Sequence, residues 1–290
     1  MPTKIEKDAL TGTDTTGHEW DGLKELNTPL PKWWLYLMYA TIAFSAVWVV
    51  LYPAFPFKGW TGVTGWVARE AVTTEVAAAN ARMAPMMDRI RAASPQEIAA
   101  DGQLRAFAMA GGRIAFANNC AGCHGAGGQG APGGFPTLAD DDWIWGGTHD
   151  AIRQTIAHGI RAGESDEERT SMMPRFVADG VLTTAQVADT AEFVLSLSGR
   201  ATDAAAAERG KALYADNCAS CHGDGGEGNR DVGAPRLNDR VWLHASDKAA
   251  IARYIANPRM GVMPAWGNRL DAATINMLTV YVHALGGGEN

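Results

Sequence analysis

Cys120-Ala121-Gly122-Cys123-His124 and Cys218-Ala219-Ser220-Cys221-His222 are two copies of one pentapeptide. In each copy two thiols stand where they can form thioether bonds to the vinyl groups of one haem. The adjacent imidazole then falls on the iron as an axial ligand. The two copies use all 4 cysteines of the 290-residue chain. A redox C-x-x-C pair or a four-cysteine zinc site would not need a histidine directly after each pair. The pattern predicts two covalently bound haem c groups, held by Cys120, Cys123, Cys218 and Cys221, with His124 and His222 on the irons. Haem is attached in this way outside the cytoplasm, so the motif also predicts a compartment.

The pentapeptides belong to a longer internal repeat, offset by 98 residues between first cysteines. Arg113-Ile114-Ala115-Phe116-Ala117-Asn118-Asn119 matches Lys211-Ala212-Leu213-Tyr214-Ala215-Asp216-Asn217, and both read as helices that deliver the cysteines. Each histidine is followed by a glycine-rich loop, 125–134 and 223–233, which lets backbone pass close to a flat ring. Pro136-Thr137-Leu138 and Pro235-Arg236-Leu237 come next, then Trp143 and Trp242. Middle helices are predicted over 152–160 and 250–255, and closing amphipathic helices over 185–197 and 272–285. Units of roughly 80–90 residues are small for a self-sufficient core, and a tethered haem supplies the missing apolar mass. The junction over 199–207 is short, so the two units are expected to pack side by side.

Haem iron in an electron carrier has both axial positions filled. Met173-Pro174 and Met263-Pro264 stand downstream of the two histidines at comparable distances. A thioether raises the reduction potential relative to a second histidine, and proline stiffens the loop that carries the sulfur. Met173 and Met263 are therefore the candidate second ligands. Met172 is the neighbour of Met173 but does not precede proline. Spacing leaves open whether each methionine serves its own unit's haem or the two are exchanged. His149, His158, His244 and His283 are weaker rivals, since lone histidines mostly make hydrogen bonds. Irons closed on both sides transfer electrons rather than bind substrate, and no nucleophile–base pair or phosphate loop is legible. A di-haem peroxidase or haem sensor would need an open iron.

Hydrophobic content of 47% and charged content of 20% mark a folded chain, and a net charge of −7 argues against nucleic acid as a partner. From Trp33 to Tyr52 no residue is charged. Those 20 residues suffice to cross a hydrocarbon core of about 30 Å. Trp33, Trp34 and Tyr36 cluster at one end and Trp48, Tyr52 and Phe55 at the other, as in an aromatic belt. Pro31 and Pro53 bound the span. Residues 1–32 read as a polar tail without signal-peptide features. Lys4, Lys7, Lys24 and Lys32 precede the span while Lys58 and Arg69 follow it, a weak bias for an inside N-terminus. The connector that follows reads as a helix over 67–87, ended or kinked by Pro85, and a short helix opening at Ser94-Pro95-Gln96-Glu97. A spacer is its simplest role, and a docking helix the sharper one. Glu164, Asp166, Glu167 and Glu168 form an acidic run before Met173, read as a solvated loop or as a steering patch for a basic partner.

These stretches carry a resemblance. Pro29-Leu30-Pro31-Lys32-Trp33-Trp34, Thr41-Ile42-Ala43-Phe44 and Tyr52-Pro53 resemble the N-terminal anchor of the di-haem cytochrome c subunit (subunit III, CcoP type) of cbb3-type cytochrome c oxidases. Asn118 to Gly125, Asp141-Asp142-Trp143-Ile144-Trp145-Gly146-Gly147 and Val262-Met263-Pro264-Ala265-Trp266 are also similar to that family. One departure is the stretch 163–172, long and acidic where a tighter turn is expected. The resemblance implies an all-α fold: an N-terminal single transmembrane helix followed by two tandem class I cytochrome c domains. The corresponding boundaries are a cytoplasmic tail 1–32, a transmembrane anchor 33–55, a periplasmic connector 56–106, and cytochrome c domains 107–199 and 205–288. It implies a bacterial inner-membrane subunit that accepts electrons from a cytochrome c. Its partners would be a mono-haem cytochrome c subunit and a haem-copper catalytic subunit, where oxygen is reduced and protons are pumped. The chain itself would be non-catalytic. The other reading is a free-standing, membrane-anchored di-haem shuttle.

Overall fold

The computed structural model describes residues 4–52, 59, 61–244 and 246–289. Pro53, Phe55 and Lys58, the exit side of the expected anchor, lie outside the described residues. The chain divides into two compact units, Met1–Arg82 and Met83–Asn290.

In the first unit, the stretch read as a tail contains an antiparallel hairpin, a correction to the sequence reading. Strand β1 (Thr15–Trp20) pairs with β2 (Leu23–Leu26), with Glu19 opposite Lys24 and Trp20 opposite Leu23. Asp21 and Gly22 turn the chain with φ of 49° and 83°. Two successive positive φ values match the right-handed twist of a hairpin, and Asp-Gly is the dipeptide that adopts them most readily. Helix α1 (Lys32–Leu51) follows. Its 20 residues bury no side chain within the protein, so Trp33, Tyr36, Leu37, Ile42 and Phe44 all stand exposed. Such a surface is stable in lipid rather than in water. Helix α2 (Ala68–Ala92) runs through Pro85 instead of ending there. Pro85 forgoes one backbone hydrogen bond, and the helix continues for nearly two turns to Ala92.

The second unit is helical. Ser94 caps α3 (Pro95–Ala100) with a full capping box to Glu97, as its sequence predicts. Then come α4 (Gly102–Asn119), α5 (Ala121–His124), α6 (His149–His158) and α7 (Thr184–Leu197). The second repeat supplies α8 (Ala204–Asn217), α9 (Ala219–His222), α10 (Lys248–Ala256) and α11 (Ala272–His283). The two repeats are not folded side by side. Helix α4 packs on α11, and α8 packs on α7. Each cysteine-delivering helix thus meets the closing helix of the other repeat. Two equivalent glycines make the crossings close. A Cβ on Gly112 would strike the Met277 carbonyl, and one on Gly210 the Asp189 carbonyl. The middle helices follow the same exchange, α6 on α11 and α10 on α7.

The cores record this arrangement. One holds Phe116, Ile152 and Ile156 with Ile275, Leu278 and Val282. Another holds Val187, Ala191 and Leu195 with Tyr214, Ile251 and Ile255. A third joins Ile90, Ile98, Leu104 and Ala108 to Ala273, Met277 and Val280. That third core removes the spacer reading for the later part of the connector. Asn276 on α11 donates to the Ile90 and Ala93 carbonyls at 3.0 and 3.2 Å and holds it there.

A buried carboxylate ties the repeats at their junction. Glu192 on α7 is fully buried. It accepts from Lys248 Nζ at 2.7 Å, Thr202 Oγ1 at 2.7 Å and Thr202 N at 2.9 Å. The Lys248 bond, aided by Thr202, outweighs desolvation and draws the Glu192 pKa from its usual 4.5 to about 2. A carboxylate depressed in the folded state stabilises the fold above its unfolded pKa and loses that contribution as pH falls toward the folded one. Glu192→Gln is therefore expected to be less stable than the parent by about 2 kcal/mol at neutral pH. The difference should shrink between about pH 4.5 and pH 2, as measured by denaturant unfolding at each pH. Gly112→Ala is expected to cost about 2 kcal/mol by forcing α4 off α11.

Candidate functional site

Each pentapeptide forms a single turn at the end of a longer helix. Cys120 and Cys218 are the C-caps of α4 and α8, their N–H groups donating to Phe116 O and Tyr214 O. The turn closes at Gly125 and Gly223, with φ of 78° and 79°. Cys123 and Cys221 are exposed, Cys120 is half-buried and Cys218 buried, and none is in a disulfide. Burial pushes the Cys120 and Cys218 thiols up to about 11.

The histidines are aimed by their own loops. His124 Nδ1 lies 3.0 Å from the Pro136 carbonyl, and His222 Nδ1 lies 2.9 Å from the Pro235 carbonyl. A carbonyl partner requires Nδ1 to carry the proton, which leaves Nε2 as the lone-pair nitrogen for a metal. Burial also lowers the His222 pKa, favouring the neutral ring that ligation requires. The Pro-x-Leu segments of the sequence are thus the parts that hold the imidazoles.

The candidate methionines come from opposite repeats. Met263 packs in the core that includes Cys120, Ala121 and Trp143. Met173 packs in the core that includes Cys218, Ala219 and Trp242. Backbone pairing fixes the first loop: Ile160 and Met263 exchange both hydrogen bonds at 2.9 Å, and Trp266 N donates to Ile156 O at 3.0 Å. Gly267 N to Ala157 O at 2.9 Å is mirrored across the repeat by Val177 N to Ala256 O at 3.4 Å. A side chain on Gly159 would strike the Met263 and Pro264 backbone, so a glycine ends α6 here. Met172, by contrast, is 71% exposed.

The rival histidines make other contacts, although the buried His149 Nε2 has no hydrogen-bond partner among the described residues. His149 stacks on His283 with centroids 3.7 Å apart, His158 Nδ1 lies 2.9 Å from Ser165 Oγ, and His244 stacks on Tyr254 at 4.5 Å. The acidic run is partly structural. Glu164 accepts from Ala265 N at 3.0 Å and from Arg269 at 2.7 Å, directly behind Met263-Pro264. Glu168 closes its own loop by accepting from Ala162 N and Gly163 N. The unusual length of 163–172 thus buttresses the opposite repeat's methionine. Two further contacts escaped the sequence reading. His244 packs over Gly134 in the first glycine loop, and Trp145 packs over Gly233 in the second. These positions are equivalent in the repeat, so each glycine loop is covered by an aromatic ring of the other repeat. The C-terminal residues also reach back to the first repeat, with Trp143 Nε1 donating to Gly287 O at 2.8 Å.

The donor set fits haem c. At each core the first thiol of a pentapeptide, Cys120 or Cys218, packs with a thioether-bearing loop, while the second thiol stays exposed and unbridged one turn away, beside an oriented imidazole. Among the described residues the buried Trp242 Nε1 has no hydrogen-bond partner, in the core it shares with Cys218 and Met173. An orphaned buried donor there suits a group supplied from outside the chain, such as a propionate.

Comparison with known proteins shows the family. Residues 12–58 match the N-terminal domain of cytochrome oxidase-cbb3, FixP. Residues 108–198 match the cytochrome c family, and residues 205–282 match cytochrome c oxidase, cbb3-type, subunit III. The chain is 54% identical over 292 residues to the cbb3-type cytochrome c oxidase subunit CcoP of Azospirillum brasilense, covering 98% of this chain and 99% of that one. It is 46% identical over 295 residues to the FixP subunit of Bradyrhizobium diazoefficiens, covering both chains fully. The FixP subunit of Azorhizobium caulinodans is 47% identical over 285 residues, with 97% and 96% covered. With its two haem c sites and its N-terminal apolar helix, the chain belongs to the CcoP/FixP family, the electron-transfer subunit III of cbb3-type cytochrome c oxidases.

Proposed function

We propose that the chain accepts electrons from a cytochrome c and relays them to the mono-haem and haem-copper subunits of the oxidase. The observation that carries this reading is the pair of oriented histidines, each in a pentapeptide whose first cysteine packs in a core with a methionine loop. Bound haem c supplies a one-electron iron couple. Cys120 and Cys123 tether one haem, and Cys218 and Cys221 the other. His124 with Met263 holds the first iron and His222 with Met173 the second, so each site takes one axial ligand from each repeat. Four protein ligands on two irons leave no position for substrate. Each haem site then draws on both of the consecutive stretches 107–199 and 205–288, so the two assemblies interleave along the chain. Helix α1 anchors the protein with its N-terminus in the cytoplasm, because covalent haem attachment requires the second unit to be periplasmic.

Residues from 60 onward carry 26 acidic and 20 basic side chains. A negative field of this kind accelerates encounter with a basic donor and is screened by salt. The rate of electron transfer from a basic cytochrome c to the detergent-solubilised oxidase, measured by stopped flow, is expected to fall between 0.01 and 0.1 M salt, as the screening length shortens from about 30 to about 10 Å. A rate that does not change removes the steering role of this surface. Association itself is tested by purifying the tagged chain in mild detergent. Recovery without a haem-copper subunit, under conditions that keep other respiratory complexes whole, would favour the free-standing shuttle.

The ligand pairing has its own test. In a chain whose Cys120 and Cys123 are both replaced by serine, only the second haem remains covalently bound. There Met173→Ala should lower the remaining haem's potential, whereas Met263→Ala should leave it close to its starting value. The reverse result assigns each methionine to its own repeat.

A further inference from the structure

Arg161 occupies a place that its sequence surroundings do not announce. It lies two residues beyond the glycine that ends α6, with a φ of 53°. Among the described residues the other non-glycine with positive φ is Asp21, in the hairpin turn. A long side chain in this region is uncommon and points to a constraint from its surroundings. The constraint is visible in what the side chain touches. Arg161 Nε donates to Gly261 O at 2.8 Å, and Nη1 donates to Ser171 O at 2.9 Å. Gly261 stands two residues before Met263, and Ser171 two residues before Met173. One guanidinium therefore joins equivalent points of the two methionine loops.

Its backbone joins the same pieces. Arg161 N donates to Arg169 O at 2.9 Å, and its neighbour Ile160 pairs on the other side with Met263. The segment 159–161 thus lies between the two stretches that lead to the methionines. Ser171 Oγ donates in turn to Val232 O at 2.6 Å, which ties the Met173 loop to the second glycine loop. Arg161 is half-buried, and no carboxylate forms an ion pair with it among the described residues. Burial lowers its pKa from the usual arginine range, with Tyr254 nearby opposing that shift. Partly desolvated and bonded to two carbonyls, the cation is held for what it bridges rather than for an ion pair. The planar fork of arginine suits two acceptors at fixed separation, where the compact ammonium of lysine does not.

We propose that Arg161 is a positioning residue common to both haem sites, fixing the two axial-methionine loops through one side chain. The proposal rests on Met263 and Met173 being the sixth ligands. A clamp shared in this way makes the two sulfur–iron bonds depend on each other. Loosening the bridge frees both loops, although the two methionines lie 90 residues apart in the chain.

The test uses the full di-haem chain in detergent. Arg161→Gly removes the bridge while suiting the positive φ, so the backbone conformation is favoured rather than strained. Both haems should stay covalently attached. The red charge-transfer absorption of methionine-ligated ferric haem should weaken at both sites, and both midpoint potentials should fall in a redox titration. Arg161→Lys should recover only part of each signal. A change at one haem alone, at neither, or full recovery of both in Arg161→Lys would overturn the shared clamp. Met173→His and Met263→His, titrated in parallel, separate this from the ligand assignment. If neither moves a potential, the assignment fails. If each moves one haem and Arg161→Gly moves none, the clamp alone fails.

Discussion

The structure depends on the exchange of closing segments between the repeats. Each cysteine turn sits at the end of a helix whose apolar face is covered by the other repeat's last helix, α4 by α11 and α8 by α7. The covering requires glycine at the crossing, because backbone carbonyls of Met277 and Asp189 approach the Gly112 and Gly210 positions too closely for a side chain. Once the helices are paired in this way, the methionine loops that precede the closing helices are carried to the opposite core. The placement of Met263 and Met173 therefore follows from helix packing and not from the loops themselves. The loops are then secured by backbone pairing at Ile160 and by Glu164 on Ala265 N.

Much of this was legible in the sequence, and the limit has a definite cause. The pentapeptides, the glycine loops, the Met-Pro pairs and the uncharged span are local patterns whose chemistry is set within a few residues. The closing helices came out within two residues of their observed ends because apolar periodicity is also local. The exchange was not legible because the repeat is nearly symmetric. Phe116 matches Tyr214, and the faces of α7 and α11 are both apolar, so either pairing buries similar side chains. What selects one is the short junction between α7 and α8, six residues from Ser198 to Asp203, which brings those two helices together as an antiparallel pair. Such short connections favour neighbours in sequence as neighbours in space. The hairpin at Asp21-Gly22 is hidden for a different reason: the polar composition of residues 1–32 resembles a tail, and the turn signal is a single dipeptide.

Arg161 and Glu192 show why charged residues are hard to read from sequence. Both are ordinary by composition, and each matters through partners far away in the chain. Glu192 gathers Lys248 and the Thr202 backbone at the junction, so it fixes α7 against α10 from the second repeat. Arg161 contacts one residue 10 positions away and another 100 positions away, both through carbonyls. Backbone acceptors leave no trace in the sequence, since any residue type supplies one. The acidic run 164–168 illustrates the same point from the other side. Its clustering suggests a solvated loop or a steering patch, yet Glu164 and Glu168 serve backbone N–H groups, Asp166 faces solvent, and Glu167, though exposed, lies 3.4 Å from His158 Nε2.

Under the proposed ligand pairing the two haem sites interleave, and this has a consequence for how the protein carries electrons. In two consecutive domains joined by a linker, the distance between haems would vary with domain motion, and transfer between them would depend on transient approach. Here each core is built from both repeats, so neither site can open or shift without disturbing the helices of the other. The aromatic cover of each glycine loop works in the same sense, with His244 over Gly134 and Trp145 over Gly233 binding the loops that follow the two pentapeptide histidines. Close-packed interiors resist such relative displacement. A relay gains from that rigidity, because one-electron transfer needs a fixed separation and little rearrangement of the ligands. The protein achieves it without enlarging either core, by making each site a structural part of the other.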